Sequence, residues 1–307
     1  MYTGLRDEEL VQRIRELKEK KNAIILAHYY QNEEIQDIAD YLGDSFGLSQ
    51  KVTSTDADII VFCGVKFMAE TAAILSPGKE VLIPDPTAGC SLADTVNVEE
   101  LRRMKREYPD YCVVTYVNST AAVKAESDVC CTSSNALKIV EAVDSDKILF
   151  VPDRNIGMFV TRQTQKEVVV WDGYCKTHFL PDIDDVKRVR EMYPGAPLLV
   201  HPECRPEISA LADFTGSTAA IIRYVRESDF NTFIIGTEEG IMYQLKKENT
   251  DRRFYPLIPD MICHDMKKIT LEKVLYSLEN NEYRIEIEEE TREKAYKALQ
   301  KMMELAG

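Results

Sequence analysis

The chain contains no Cys-x-x-Cys pair, so zinc-ribbon and thioredoxin-type sites have no anchor in it. No stretch approaches the roughly 20 consecutive apolar residues of a membrane-spanning helix. The opening segment, MYTGLRDEELVQRIRELKEKK, has the pattern of a charged helix and not of a secretory leader. There is one tryptophan and no basic run, and 38 Lys+Arg against 52 Asp+Glu leave a formal net charge of −14. Such a chain is poorly suited to nucleic acid or an anionic membrane, and neither is expected as a partner. It also lacks long-range attraction for anionic metabolites, so a phosphate or carboxylate must be held by local groups. Without a secretory leader, the eight cysteines (63, 90, 112, 130, 131, 175, 204, 263) are expected to be free thiols in a cytoplasmic protein.

What is present is an ordinary globular composition, 45% hydrophobic and 29% charged over 307 residues, enough for one large core or two to three small ones. Charged amphipathic helices alternate with nine short apolar runs: AIILAH, DIIVFC, EVLIPD, CVVTYV, KILFVP, EVVVWD, PLLVHP, TFIIGT and FYPLIP. That alternation predicts an α/β fold of βα units with parallel sheets. Fresh units open after helices expected at 7–21, 98–108 and 182–193. The last two of these run into the same Tyr-Pro step, Tyr108-Pro109 and Tyr193-Pro194, where proline stops a helix.

Internal repetition is the strongest signal. First strands of successive units end in His28-Tyr29-Tyr30, Tyr116-Val117-Asn118 and His201-Pro202-Glu203, spaced by 88 and 85 residues. Ser45, Ser133 and Thr218, with Ser217 beside it, then open helices at the same spacings of 88 and 85. Third strands are followed by Cys90, Cys175 and Cys263, spaced by 85 and 88. Three features in one period imply three analogous βαβαβ units, each a three-stranded parallel layer, around a pseudo-threefold axis. The expected divisions are 1–95, 96–180 and 181–267, with the tail 268–307, including a helix over 287–305, packing back on the first unit.

Open parallel sheets bind ligands outside the carboxyl ends of their strands, so the repeated strand-end residues point to one shared site. Taken singly, Ser45 or Ser133 reads better as a helix cap than as a ligand contact. The two roles are compatible, because a capped helix N-terminus attracts anions. Any one cysteine alone reads as an inert buried thiol. Three in register, meeting on an axis, would instead leave one corner of a four-iron cube, or of a zinc ion, without a protein ligand. Ligand count alone leaves both open.

These residues resemble those of the quinolinate synthase family, iron–sulfur enzymes of de novo NAD biosynthesis. The resemblance runs along nearly the whole chain through AHYYQ (27–31), FCGVKFMAETA (62–72), PDPTAGCSLAD (84–94), CCTSSNA (130–136), WDGYCKTH (171–178), HPEC (201–204) and PDMIC (259–263). It implies a [4Fe-4S] cluster on Cys90, Cys175 and Cys263. It also implies condensation of iminosuccinate with dihydroxyacetone phosphate to quinolinate, phosphate and water. The imine would come from an aspartate-oxidising enzyme, an expected transient partner. Substrate contacts are implied for His28, Ser45, Tyr116, Val117, Asn118, Ser133, His201, Pro202, Glu203, Ser217 and Thr218. Tyr30 and His178 match residues implicated in the chemistry, so Tyr30, His28, His178, His201 and Glu203 are the candidate catalytic groups. In one respect the chain departs from some members: Cys263 is followed by His264-Asp265-Met266, so a redox disulfide at that ligand has no support. The competing expectations are another iron–sulfur or zinc lyase acting on a sugar phosphate, and a non-catalytic metabolite binder in which Glu203 pairs with Arg205 or Arg223 and Tyr30 merely packs.

Overall fold

The computed structural model describes residues 6–306; the first five residues of the expected first unit, and Gly307, lie outside it. The first sheet holds β1 (Ala23–His28), β2 (Tyr41–Gly43), β3 (Ile59–Cys63) and β4 (Glu80–Leu82). The second holds β5 (Cys112–Tyr116), β6 (Val129–Cys131), β7 (Lys147–Val151) and β8 (Glu167–Val170). The third holds β9 (Leu198–Val200), β10 (Phe214–Thr215), β11 (Thr232–Gly236) and β12 (Arg253–Pro256). Every pairing is parallel, and the orders are the same: β2-β1-β3-β4, β6-β5-β7-β8 and β10-β9-β11-β12.

Each layer thus has four strands where the apolar runs predicted three. The added strands, β2, β6 and β10, are only two or three residues long, too short for a periodic signal. Their position matters more than their length. With β2 on one side of β1 and β3 on the other, the winding reverses at β1, and a crevice opens at such a switch point beyond the strand ends. The same holds at β5 and β9. The central strands are buried on both faces, as in Ile59–Cys63, which suits parallel sheets covered by helices on both sides.

Helix boundaries follow local chemistry. Asn97 caps Val98–Glu107 by accepting from Glu100 N at 2.9 Å, and Asp182 forms a capping box with Asp185 at the start of Ile183–Met192. Both helices stop just before their Tyr-Pro steps.

One apolar core runs through the first sheet into one face of the second and takes in the two tail helices. The third sheet has two cores of its own, Leu198, Val200 and Ile234 facing one way and Leu199, Phe233 and Ile235 the other, by the period-two alternation of strands. The tail divides. Helix Leu271–Asn280 lies against Asp7–Lys20 and β3 of the first unit. Helix Glu289–Ala306 lies chiefly against Ala121–Ala125, β6 and Ala136–Ala142 of the second, and also against Lys66–Leu75 of the first. The expectation that the whole tail packs on the first unit is corrected: the buried stripe Ala295, Ala298, Leu299 and Met302 covers the seam between the two. Among the described residues no helix is long and apolar enough to cross a membrane.

Candidate functional site

One cavity lies at the carboxyl ends of all three sheets and takes lining from each unit. It is reached by His28 at the end of β1, Tyr116 at the end of β5 and His201 just after β9. His28 and His201 are held alike: Tyr30 N donates to His28 Nδ1 at 3.1 Å, and Glu203 N donates to His201 Nδ1 at 3.3 Å. An accepting Nδ1 leaves the ring proton on Nε2. Burial pushes both imidazoles down to about 3, so at neutral pH they are uncharged N–H donors in the cavity wall.

Glu203 is buried and surrounded by donors. Tyr116 OH donates to its Oε1 at 2.7 Å and Asn118 Nδ2 to the same oxygen at 3.3 Å, while His178 Nδ1 lies 2.7 Å from Oε2. Burial alone would raise this carboxyl. The polar groups around it, His178 foremost, with His201 and the Tyr116 hydroxyl, outweigh it and hold Glu203 at about 2. The surface ion pair with Arg205 or Arg223 is therefore not the role the structure gives it.

A carboxylate can only accept, so His178 Nδ1 donates to Glu203 and a neutral ring accepts at Nε2. Thr237 Oγ1 lies 2.8 Å from that Nε2 and 2.6 Å from Tyr30 OH, and Thr218 Oγ1 donates to Tyr30 OH at 2.8 Å. The donors and acceptors fit one direction: Thr218 to Tyr30, to Thr237, to His178, to Glu203. Hydroxyl, imidazole and carboxylate in line form the arrangement that orients an imidazole and lets its hydroxyl partner exchange a proton. Tyr30 is thus a network member and not a packing residue, and burial keeps its phenol protonated, well above its ordinary value.

Cys90, Cys175 and Cys263 all line the cavity, and none of the other five cysteines does. Among the described residues, Cys175, His178 and Glu203 form the one set of three ligand-type side chains whose atoms lie within 4.8 Å of one another. The three cysteines are not so tightly gathered, whereas thiolates round one tetrahedral ion sit roughly 3.8 Å apart. Three thiols from three units, wider than a single ion needs, suit a multi-metal cluster with an open corner. Burial raises Cys90 to about 12 and Cys263 to about 11, so both are protonated thiols at neutral pH when no metal is bound.

Ser45, Ser133 and Thr218 line the cavity too. The cap of helix Ser45–Ser54 is Asp44, which accepts from Gly47 N, and the cap position of Ala136–Ala142 is Asn135. Ser45 and Ser133 are therefore not the caps, against the expectation for either taken singly, whereas Ser217 is the cap of Thr218–Glu227 and accepts from Ala220 N at 3.2 Å. Ser217, Val117 and Pro202 do not line the cavity; Val117 reaches a small neighbouring pocket behind Phe67. Thr237 was visible only as a strand-end residue in Gly236-Thr237-Glu238, with no motif to single it out. No lysine or arginine among the described residues lines the cavity. A second concavity, on the surface between the second and third units, gathers Arg154, Arg162 and Arg205 beside Trp171 and Phe179.

Residues 12–304 match the family model described as quinolinate synthetase A protein. The chain is 55% identical over 300 residues to quinolinate synthase of Caldicellulosiruptor saccharolyticus, covering 97% of this chain and 99% of that one. It is 50% identical over 302 residues to quinolinate synthase of Alkaliphilus metalliredigens, covering 98% and 100%. With quinolinate synthase 2 of Methanosarcina acetivorans the identity is 48% over 303 residues, covering 99% and 98%.

Proposed function

The chain belongs to the quinolinate synthase family, and on that premise we propose that it condenses iminosuccinate with dihydroxyacetone phosphate to quinolinate, phosphate and water. The cofactor is a [4Fe-4S] cluster on Cys90, Cys175 and Cys263, and the compartment is the cytoplasm. The observation that carries this reading is one cysteine from each unit in a cavity that also holds the His178–Glu203 pair. When bound, the cluster supplies a Lewis-acidic iron with no protein ligand, suited to a carboxylate or hydroxyl oxygen.

The protein supplies the rest. The Nε2–H groups of His28 and His201, the hydroxyls of Ser45 and Ser133, and Asn118 hold carboxylate and phosphate oxygens without a cationic side chain. Phosphate loss, imine closure and dehydration each require a proton removed and a proton delivered, and a positioned group contributes about 10²–10⁴-fold. Glu203 holds a proton acceptor ready through His178. Tyr30 delivers a proton from its phenol and is recharged from Thr218, which donates to it. Tyr116 and Asn118 keep Glu203 oriented. The imine is unstable in water, so an aspartate-oxidising enzyme supplies it in transient contact.

The test is anaerobic incubation of the purified chain with both substrates. Quinolinate and phosphate should form together, with near four irons and four sulfides per chain. Absence of quinolinate from an iron- and sulfide-replete chain would overturn the substrate assignment. A second reading places one zinc ion on Cys175, His178 and Glu203, whose ligand atoms are close enough for it. Zinc at one per chain without sulfide would favour that reading over the cluster.

A further inference from the structure

The three cysteine loops are anchored in the same register but not equally held. Lys66 N donates to Ala88 O at 2.8 Å, Arg154 N to Gly173 O at 2.8 Å, and Glu239 N to Met261 O at 2.9 Å. Each acceptor lies two residues before a cavity cysteine, so the residues just before the donors are structurally equivalent. They are Val65, Asp153 and Glu238, all buried.

The three side chains differ in what they offer the neighbouring cysteine. Glu238 accepts the backbone N–H of Cys263 on Oε1 at 3.0 Å and that of Gly240 on Oε2 at 2.7 Å. Lys267 lies 3.1 Å from Oε1 and also donates to Tyr30 O at 2.8 Å. Asp153 accepts from Ile156 N at 2.8 Å on Oδ1, and the Cys175 amide is directed at the same carboxyl, but Oδ2 has no hydrogen-bond partner. Val65 has no polar atom to offer Cys90. From this one position the side chain thus holds the Cys263 arm firmly, the Cys175 arm loosely and the Cys90 arm not at all.

We infer that Glu238 is a positioning residue for the metal centre: with Lys267 it fixes the Cys263 loop and ties it to the Tyr30 loop of the first unit. An amide bonded to a fixed carboxylate sets the backbone of Cys263 before any metal arrives. Groups behind the first ligands commonly govern how firmly a metal is held. Lys267, through its bond to Tyr30 O, carries that constraint across the boundary between the first and third units, so the Cys263 and Tyr30 loops keep a constant relation. This inference rests on the cluster assignment above.

The experiment compares anaerobically purified wild type with Glu238→Gln, Glu238→Leu and Asp153→Asn. Readouts are iron and sulfide content, the paramagnetic-resonance spectrum of the reduced cluster, and the rate of iron loss to a chelator. Glu238→Gln keeps the shape and one acceptor but loses the charge. Glu238→Leu loses both. Iron loss should quicken from wild type through Glu238→Gln to Glu238→Leu, the last by at least about ten-fold, the scale of one charge-assisted hydrogen bond. The spectrum should shift in the same order, and Asp153→Asn should have the smaller effect. Circular dichroism of the metal-free chains shows whether the fold is retained; if Glu238→Leu does not fold, Glu238→Gln carries the test with its own faster release. Folded variants with wild-type release rate and spectrum would overturn the role of Glu238 alone. A wild type without iron and sulfide would instead overturn the cluster.

Discussion

The two concave regions of the molecule differ in how they could hold an anion. The surface cleft between the second and third units has three arginines, and by charge alone it would be chosen as the phosphate site. Its guanidinium groups are already engaged: Arg154 pairs with Asp172 at 2.6 Å, Arg162 donates to Pro206 O at 3.3 Å, and Arg205 donates to Phe179 O at 2.8 Å while stacked on that ring. The central cavity has no cationic lining, yet it concentrates hydroxyls, two imidazole N–H groups and two ten-residue helix N-termini. A site built from neutral donors depends on tautomer and orientation, and salt screens it little because it is buried. A cation-rich surface site would bind anions less selectively and lose them in salt.

Four outcomes break or sharpen that contrast. The largest belongs to the cavity thiols: Cys90→Ala, Cys175→Ala or Cys263→Ala should abolish activity and leave no intact cluster. Full iron content in any of them, by anaerobic iron and sulfide analysis, would remove that cysteine from the ligand set. Next, Glu203→Gln should lower turnover by about 10²–10⁴-fold while the cluster remains. Thr237→Val should act in the same direction, with Thr237→Ser restoring part of the rate. Turnover in Glu203→Gln within two-fold of wild type, roughly, would take the carboxylate out of the proton path.

The third outcome concerns pH. His28 and His201 titrate at about 3 in the fold, below the unfolded value of 6.5. Between these values the unfolded chain binds the extra protons, so stability is full above 6.5 and falls as pH drops toward 3. The slope is up to about 1.4 kcal/mol per pH unit for each ring. Urea midpoints at pH 7 and pH 5 measure it, and His201→Asn should flatten the dependence. An equal slope in that variant would mean that His201 is not a buried neutral ring. The smallest effect belongs to the arginine cleft: Arg154→Ala and Arg162→Ala should leave the KM for dihydroxyacetone phosphate within about two-fold. A ten-fold rise, about 1.4 kcal/mol, would move the phosphate site to the surface and undo the comparison.

What could be read from the residues alone divides along physical lines. The strand ends at 28, 116 and 201 and the cysteines at 90, 175 and 263 were legible because one period repeats them. The short strands β2, β6 and β10 were not, because they are too brief for alternation, although they create the switch points. Thr237 and Glu238 were also obscure in role. Their equivalents are Pro152-Asp153 and Gly64-Val65, so the Thr237 hydroxyl is unique to one unit and the Glu238 carboxyl is echoed only by the shorter Asp153. The capping role expected of Ser45 and Ser133 failed for a local reason: Asp44 holds that role at the first helix and Asn135 the corresponding position at the second, leaving both serine hydroxyls to the cavity. The tail escaped because an amphipathic pattern says that a helix has an apolar stripe, not which neighbour receives it.

Helix Glu289–Ala306 has one consequence for how the enzyme is made. Its 18 residues come after every cavity residue in the chain, and they roof apolar surface contributed by both earlier units. Until they dock, that roofless surface meets water, and a chain cut short before Glu289 should be sticky and short-lived even though every cavity residue is present.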